Sequence, residues 1–410
     1  MSFRILLPVA FACLAVVGSN AIADPSPRKK LVTSADVLER ALNESPLVTR
    51  IEASIALMRA EGLQNGTVEN PVLDSEVRVP TSYGDQRGSD EVALSLSQPL
   101  RVSDFGARGN VNRLIQALAD EDRRVELLTF AQKVKLAYTK AWALERRSLE
   151  LARYRDTAGR IERAVQHAAD GGLLGSSEGL LFRAEAKKTQ LELNALTSDL
   201  KRAKAELNRI AGFAVAGTLV KPPLSDPPSL PALLGSADLL PAQARAKMAV
   251  ALAREQHRQS ELDAYPKFSP RLVFERTNDS ASYFGVGISM ELPFFDRNQG
   301  ERLARNAEAH AAQRFAAYLS GDSYRDEVSS LLESLQASTA FLNGYEQEIL
   351  PTLSQALDTE EKLFTAGKGA PVRLWQILRE LSAAQREVLE RLMGLYSDRI
   401  ELVAITGTDF

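Results

Sequence analysis

Apolar and polar positions alternate with a period of two from Tyr283 to Gly300, where Phe284, Val286, Ile288, Met290 and Leu292 interleave with Gly285, Gly287, Ser289 and Glu291. This pattern predicts a strand with one apolar and one polar face. Pro293 removes a ladder donor and stops the pairing, and Asp296 or Asn298 can cap the long charged helical segment that begins near Gln299. The same design occurs earlier: Val92, Leu94 and Leu96 form an apolar face over 91–98, Pro99 ends the strand, and Ser103 or Asp104 can cap. Each of these strands has a partner just before it. Over 72–79, Leu73, Val77 and Val79 oppose Asp74, Glu76 and Arg78, and a strand at about 268–276 carries Arg271 and Glu275.

Between the strands the period changes to that of helices. Ser34 or Asp36 can cap a short helix ending near Asn43, Pro46 starts a second that runs to about Val68, and Asn70 with Pro71 breaks it. From Ala107 to Ala168 there is no proline and only Gly109 and Gly159 interrupt, so a helix of about 60 residues and about 90 Å is predicted. The segment GGLLGSS at 171–177 turns the chain. A returning helix then carries Leu193, Leu196, Leu200, Ala203, Leu207 and Ile210 at spacings of three and four, a coiled-coil seam. In the last helix Leu374, Leu378, Leu381, Gln385, Val388, Leu392, Leu395, Arg399 and Leu402 keep strictly alternating steps of four and three, which implies left-handed supercoiling.

The second half repeats the first. Pro46 and Pro241, Pro71 and Pro266, Gly172 and Gly367, and Gly212 and Gly407 are each separated by 195 positions, and Pro99 and Pro293 by 194. The expected organisation is a leader over 1–23, a first repeat over 24–212, a proline-rich connector over 213–240 and a second repeat over 241–410. The fold class is α+β and mostly α: a tandem repeat of long coiled helical hairpins with four amphipathic strands.

Composition narrows the function. Aromatic residues are 6% and charged residues 25%, which suits long solvated helices, and a net charge of -3 gives no electrostatic reason to expect a nucleic-acid partner. Arg4, the apolar run from Ile5 to Val17 and the small-residue site at Ala21 to Ala23 read as a secretory signal peptide cut before Asp24. Cys13 lies inside that run, so the mature chain has no cysteine for a disulfide or a thiolate ligand. His167, His257 and His310 are far apart and form no metal-ligand spacing, the five methionines do not cluster, and no nucleophile elbow, Walker or dinucleotide pattern sits in a strand-to-helix context. A non-enzyme without cofactor or resident metal is expected.

Four strands of about eight to ten residues match the length of tilted outer-membrane strands, about nine to eleven residues, yet four are too few to close a barrel. An open edge in hydrocarbon leaves backbone groups unpaired, so two or more chains must share one barrel. Asp74, Glu76, Arg78, Arg271 and Glu275 would then point into a water-filled lumen. The competing reading is a soluble repeat of helical hairpins with two small sheets whose charged faces are merely solvated.

Asn70 and Pro71, the strand ends at Pro99 and Pro293, Gly172 with Leu173, the ELNRIAG ending and LPFFDRNQG in the second repeat resemble the TolC-type outer-membrane efflux ducts over nearly the whole mature chain. The LPFFDRNQG form and the short length look most like the outer-membrane component of heavy-metal (cobalt, zinc, cadmium or copper) efflux pumps. The resemblance implies a homotrimer in the outer membrane of a Gram-negative bacterium, a shared twelve-stranded barrel in lipid and a helical tunnel in the periplasm. It also implies a periplasmic adaptor (membrane fusion protein) and a proton-driven inner-membrane pump of the RND type as partners, with adaptor-contacting tips at Gly172, Leu173 and Gly367. Ducts of this kind gate at the periplasmic end with acidic residues just after the tip. Glu178 matches such a position, whereas its repeat mate is Arg373, with Gln376 nearby. Drug-efflux and type I secretion ducts share the fold. A soluble periplasmic coiled-coil adaptor or scaffold would carry one hairpin, not the two seen here.

Overall fold

The computed structural model describes residues 31–78, 91–101, 106–170, 176–224, 229–234, 240–276, 281–366 and 368–407. The signal peptide, the caps Ser103 and Asp104, and the tips Gly172, Leu173 and Gly367 lie outside the described residues.

In chain order the elements are β1 (Leu31–Val32), α1 (Ser34–Glu44), α2 (Pro46–Gly66), β2 (Val72–Arg78), β3 (Glu91–Ser97), α3 (Ala107–Asp170) and α4 (Ser176–Ala211). There follow β4 (Thr218–Leu219), α5 (Leu230–Leu234), α6 (Pro241–Leu262), β5 (Phe268–Arg276), β6 (Ser282–Met290), α7 (Gln299–Leu319), α8 (Asp322–Gly344), a π turn (Tyr345–Ile349), α9 (Leu350–Thr365) and α10 (Pro371–Thr406). The expected long helix is α3, with 64 residues spanning about 96 Å at 1.5 Å per residue. Near the sheet α3 packs on α2 and α6, and α6 on α7; farther along it packs on α4 and α10, and α10 on α8 and α9.

The seams bury most of the residues that their spacing marks, and Leu196, Leu200, Gln385 and Arg399 are half-buried. On α4, Leu193, Ala203, Leu207 and Ile210 are buried, and on α10, Leu374, Leu378, Leu381, Val388, Leu392, Leu395 and Leu402. The largest core cluster joins α1, α3, α4, α8 and α10 around Tyr138, Trp142, Leu207, Leu335 and Leu395.

The repeat is visible in the ends of its helices. α4 and α10 both have 36 residues, and they start and end 195 positions apart (176 and 371, 211 and 406). Each is closed by a left-handed glycine, Gly212 at φ +86° and Gly407 at φ +69°. A Cβ on Gly212 would lie 2.7 Å from Cδ of Pro46, and one on Gly407 2.8 Å from Cγ of Pro241. The glycine ending each repeat's last helix is therefore packed on the proline opening that repeat's strand-leading helix. Gly407→Ala is expected to cost about 2 kcal/mol through left-handed strain and the displaced proline. Gly394→Ala, inside α10 with open space around it, should be neutral or stabilising. Chemical denaturation of the two variants compares them.

Several local expectations are corrected. Thr33, not Ser34 or Asp36, caps α1: its Oγ1 accepts from the Asp36 amide at 3.2 Å while the Asp36 carboxylate accepts from the Thr33 amide at 3.1 Å, a capping box. Asn298 holds the N-cap position of α7 but makes no capping bond; its side-chain amide donates to the Ser260 carbonyl at 3.0 Å. Pro99 does not end the pairing of β3, because Leu100 still exchanges hydrogen bonds with Phe268 at 2.7 and 3.0 Å. Along this strand the even-numbered amides point to β5, so the missing Pro99 donor falls on the side where β2 has not yet begun.

The start of the connector between the repeats is tied to the first repeat by a short parallel pair. β4 pairs in parallel with β1, Leu31 to Thr218 and Val32 to Leu219. The Tyr138 hydroxyl clamps this pair, lying 2.6 and 2.8 Å from the carbonyls of Val32 and Val220 and accepting from the Val220 amide at 2.9 Å. Burial pushes this phenol up to about 12, so it remains a neutral donor. The second repeat also departs from the first: where α3 is continuous, its counterpart is interrupted at Gly321, whose extended backbone (ψ 172°) halts the helical ladder, and again by the π turn.

Candidate functional site

β2, β3, β5 and β6 form one antiparallel sheet in that order, so the hairpin of the first repeat lies directly beside that of the second. The register places Asp74 opposite Ser95, Ser95 opposite Val273, and Val273 opposite Gly285; the next row runs Glu76, Ala93, Glu275, Tyr283. Arg271 pairs with Ser97 and Gly287, in phase with both rows. All five anticipated strand charges, Asp74, Glu76, Arg78, Arg271 and Glu275, therefore share one face. Arg78 bridges Glu76 at 3.0 Å and Glu91 at 3.9 Å on this face.

The other face carries Leu73, Val77, Val92, Leu94, Leu96, Leu272, Phe274, Phe284, Val286, Ile288 and Met290, and every one of them is exposed, Val286 at 79%. A contiguous apolar face of this size is not left to water in a soluble monomer. A nine-residue strand spans about 30 Å, and a tilt near 40° brings its height to about 23 Å, close to the apolar band of an outer-membrane barrel. β2 and β6 are the outer strands, each with one edge unpaired among the described residues.

The sheet is fixed to the helices by ions. The Asp263 carboxylate, at the end of α6, accepts from Arg101 beyond β3 at 2.7 Å and from Arg108 at the start of α3 at 2.9 Å, while Arg101 reaches Glu69 before β2 at 3.2 Å. Arg101, Arg108 and Asp263 are each about three-quarters buried, so this pairing is better shielded than an ordinary surface bridge.

At the opposite end of the helices, Ala158, Ile161, Val165, Phe182, Leu374, Trp375 and Leu378 form a cluster drawn from both hairpins. Trp375 stands edge-on to Tyr154 at 6.0 Å and to Phe182 at 5.4 Å. Sequence reasoning missed Trp375 because it lies one step outside the Leu374 to Leu378 seam. It also missed Gly369: a Cβ there would lie 2.6 Å from the Phe364 amide nitrogen, so the turn into α10 closes too tightly for any side chain. The repeat spacing pointed to Gly367 instead. Arg373 is exposed on the first turn of α10. It is the third residue of that helix, as Glu178 is of the equally long α4.

His167, His257 and His310 lie on three different helices, α3, α6 and α7; the first and last are exposed and His257 sits 3.8 Å from Glu261. Among the described residues no group of three His, Cys, Asp or Glu is arranged to hold a metal ion, and no helix is long and apolar enough to cross a membrane.

The fold is that of outer-membrane channel proteins. The chain superposes on the outer membrane protein VceC of Vibrio cholerae with a TM-score of 0.73 at 16% identity, covering 92% of this chain and 96% of that one. It superposes on CusC, whose structures describe folding and transmembrane channel formation, with a TM-score of 0.72 at 16% identity over 95% and 96% of the two chains. Residues 232–408 match the outer membrane efflux protein family. In sequence the chain is 26% identical to the cobalt-zinc-cadmium resistance protein CzcC of Cupriavidus metallidurans over 379 residues, 86% of this chain and 83% of that protein. The resemblance carried by the proline, glycine and LPFFDRNQG positions is thus matched by the fold and by these relatives.

Proposed function

We propose that this chain is the passive outer-membrane exit duct of a tripartite efflux system, working with a periplasmic adaptor and an inner-membrane RND-type pump. The observation that carries this reading is the four-stranded sheet with a charged face, an exposed apolar face and two edges unpaired among the described residues. Two chains would supply about eight strands, the smallest known barrel, and the likeness to TolC-type ducts favours three chains and twelve strands. Asp74, Glu76, Arg78, Arg271 and Glu275 then line the lumen. The likeness to CzcC favours heavy-metal cations as cargo. The lumen charges are of both signs, as suits a conduit whose selectivity lies in its pump. On this reading the chain divides into a leader (1–23), repeats at 24–212 and 241–410, and a connector at 213–240, with Gly172, Leu173 and Gly367 at the adaptor-facing tips.

The gate of this duct pairs Glu178 with Arg373. Because the two are equivalent positions of alternating hairpins, each Glu178 in a closed ring of six tips neighbours an Arg373, and each wet ion pair contributes about 0 to 1 kcal/mol. Recordings in planar bilayers test both claims. Wild-type protein should conduct without an energy source, and Arg373→Glu should raise single-channel conductance at low salt by an amount that shrinks at high salt. Absence of any conductance contradicts the duct. Unchanged conductance at both ionic strengths, with the trimer intact, removes Glu178 and Arg373 from the gate.

A further inference from the structure

The α10 seam contains a polar position that its packing does not need. Gln385 interrupts the apolar run from Leu374 to Leu395 and is half-buried. Together with Arg146 and Glu150 of α3 it lines two neighbouring clefts. One, of about 460 Å³, is walled by Trp142, Leu219 and Leu389, and the other, of about 190 Å³, by Tyr154, Leu357 and Leu378. Glu150 therefore sits between the two hairpins at a place where the seam is open on both sides. Its side chain is only 11% exposed, whereas that of Arg146, its ion-pair partner at 2.9 Å, is 52% exposed. Oε1 accepts from Arg146 Nε, while Oε2 is enclosed and meets no hydrogen-bond donor among the described residues. An oxygen shut away from water without a donor is far more costly in a carboxylate than in a neutral acid.

We propose that Glu150 is a proton-operated latch between the two hairpins, taking up a proton as α10 packs on α3 and releasing it when the seam opens to water. Burial pushes this carboxyl above the ordinary glutamate value, against the pull of Arg146, Arg147 and Arg153 on its own helix. The groups that face it from other elements add little to either form. Lys221 of the connector and Glu346 of the π turn offset each other at 3.6 Å. Glu145, also on α3, is held by Lys204 at 3.1 Å and accepts from the Leu219 amide at 3.3 Å. Around the clefts α10 presents Ser382 and Gln385, and α9 presents Leu357, none of them charged. Tyr154 stays neutral, because burial pushes its phenol up to about 12.

The packed seam thus holds the proton more tightly than the open one. Packing gains from this group at and below the ordinary carboxylate range, and the gain is lost as pH rises through the raised value. In a duct, the tunnel wall would then be stiffer in an acidic periplasm; that consequence rests on the proposed function, whereas the latch does not.

Hydrogen exchange of the mature protein in mild detergent tests the latch, at about pH 4.5 and about pH 7.5 with rates corrected for the pH dependence of chemical exchange. Amides at 146–157 and 378–389 are expected to lose protection several-fold at the higher pH, while those of the inner strands β3 and β5 keep theirs. Glu150→Gln, neutral at both pH values, should abolish the difference. Arg146→Gln removes a cation that favours the charged form, so it should move the midpoint of the loss to higher pH. Equal wild-type protection at both pH values overturns the proposal, as does a difference that persists in Glu150→Gln. If Glu150→Gln does not assemble, the Arg146→Gln midpoint decides: an unmoved midpoint overturns the latch, and an upward shift supports it.

Discussion

Ile288→Arg is expected to prevent stable insertion, while Gly287→Arg, one residue away, is expected to be inserted normally. The two positions face opposite sides of β6. Ile288 is on the exposed apolar face, whereas Gly287 pairs with Arg271 on the charged face and has open space where a side chain would begin. An arginine near the bilayer midplane on the lipid face of a barrel costs about 2 to 4 kcal/mol, and a trimer would bear that cost three times. On the proposed lumen side the same side chain would meet water and narrow the passage. The amount of each variant recovered in the outer-membrane fraction distinguishes the two. Equal recovery would mean that the sheet does not separate lipid from water.

The second large effect belongs to the far end of the helices. Trp375→Ala should cost about 3 to 5 kcal/mol, the usual range for emptying a buried tryptophan site, because Trp375 is the contact at which α10 meets both Tyr154 of α3 and Phe182 of α4. The loss should stay local. The Tyr138 and Leu395 cluster lies elsewhere along the same helices and shares no residue with it. Hydrogen exchange is expected to rise strongly across 154–165, 180–186 and 357–378 while amides around Tyr138 keep their protection. A uniform rise along α3 would contradict the independence of the two clusters.

The parts of this molecule that could be read from its sequence are those set by short periods. Alternation over 284–292 and 72–78 fixed both the strands and their charged face, because in a ladder of period two one residue's side determines the rest. Absence of proline and near-absence of glycine from 107 to 168 left helix as the only simple reading, and α3 runs from Ala107 to Asp170. What escaped were contacts made across long separations. Two-residue strands such as β1 and β4 carry no pattern, and their pairing depends on a hydroxyl more than a hundred positions from β1. The need for glycine at 369 comes from the approach of Phe364 in space, and the role of Trp375 from two partners on other helices. The break at Gly321 follows from that residue's extended backbone, and a single glycine inside a helical pattern does not by itself announce a break.

The central claim is that four strands with unpaired edges are completed by other copies of the chain in a membrane. Its most direct test is native mass spectrometry of the mature protein extracted in mild detergent from separated outer membranes. The account predicts that the protein is found in that fraction as an assembly of three chains. A soluble monomer with no membrane-associated pool would contradict it.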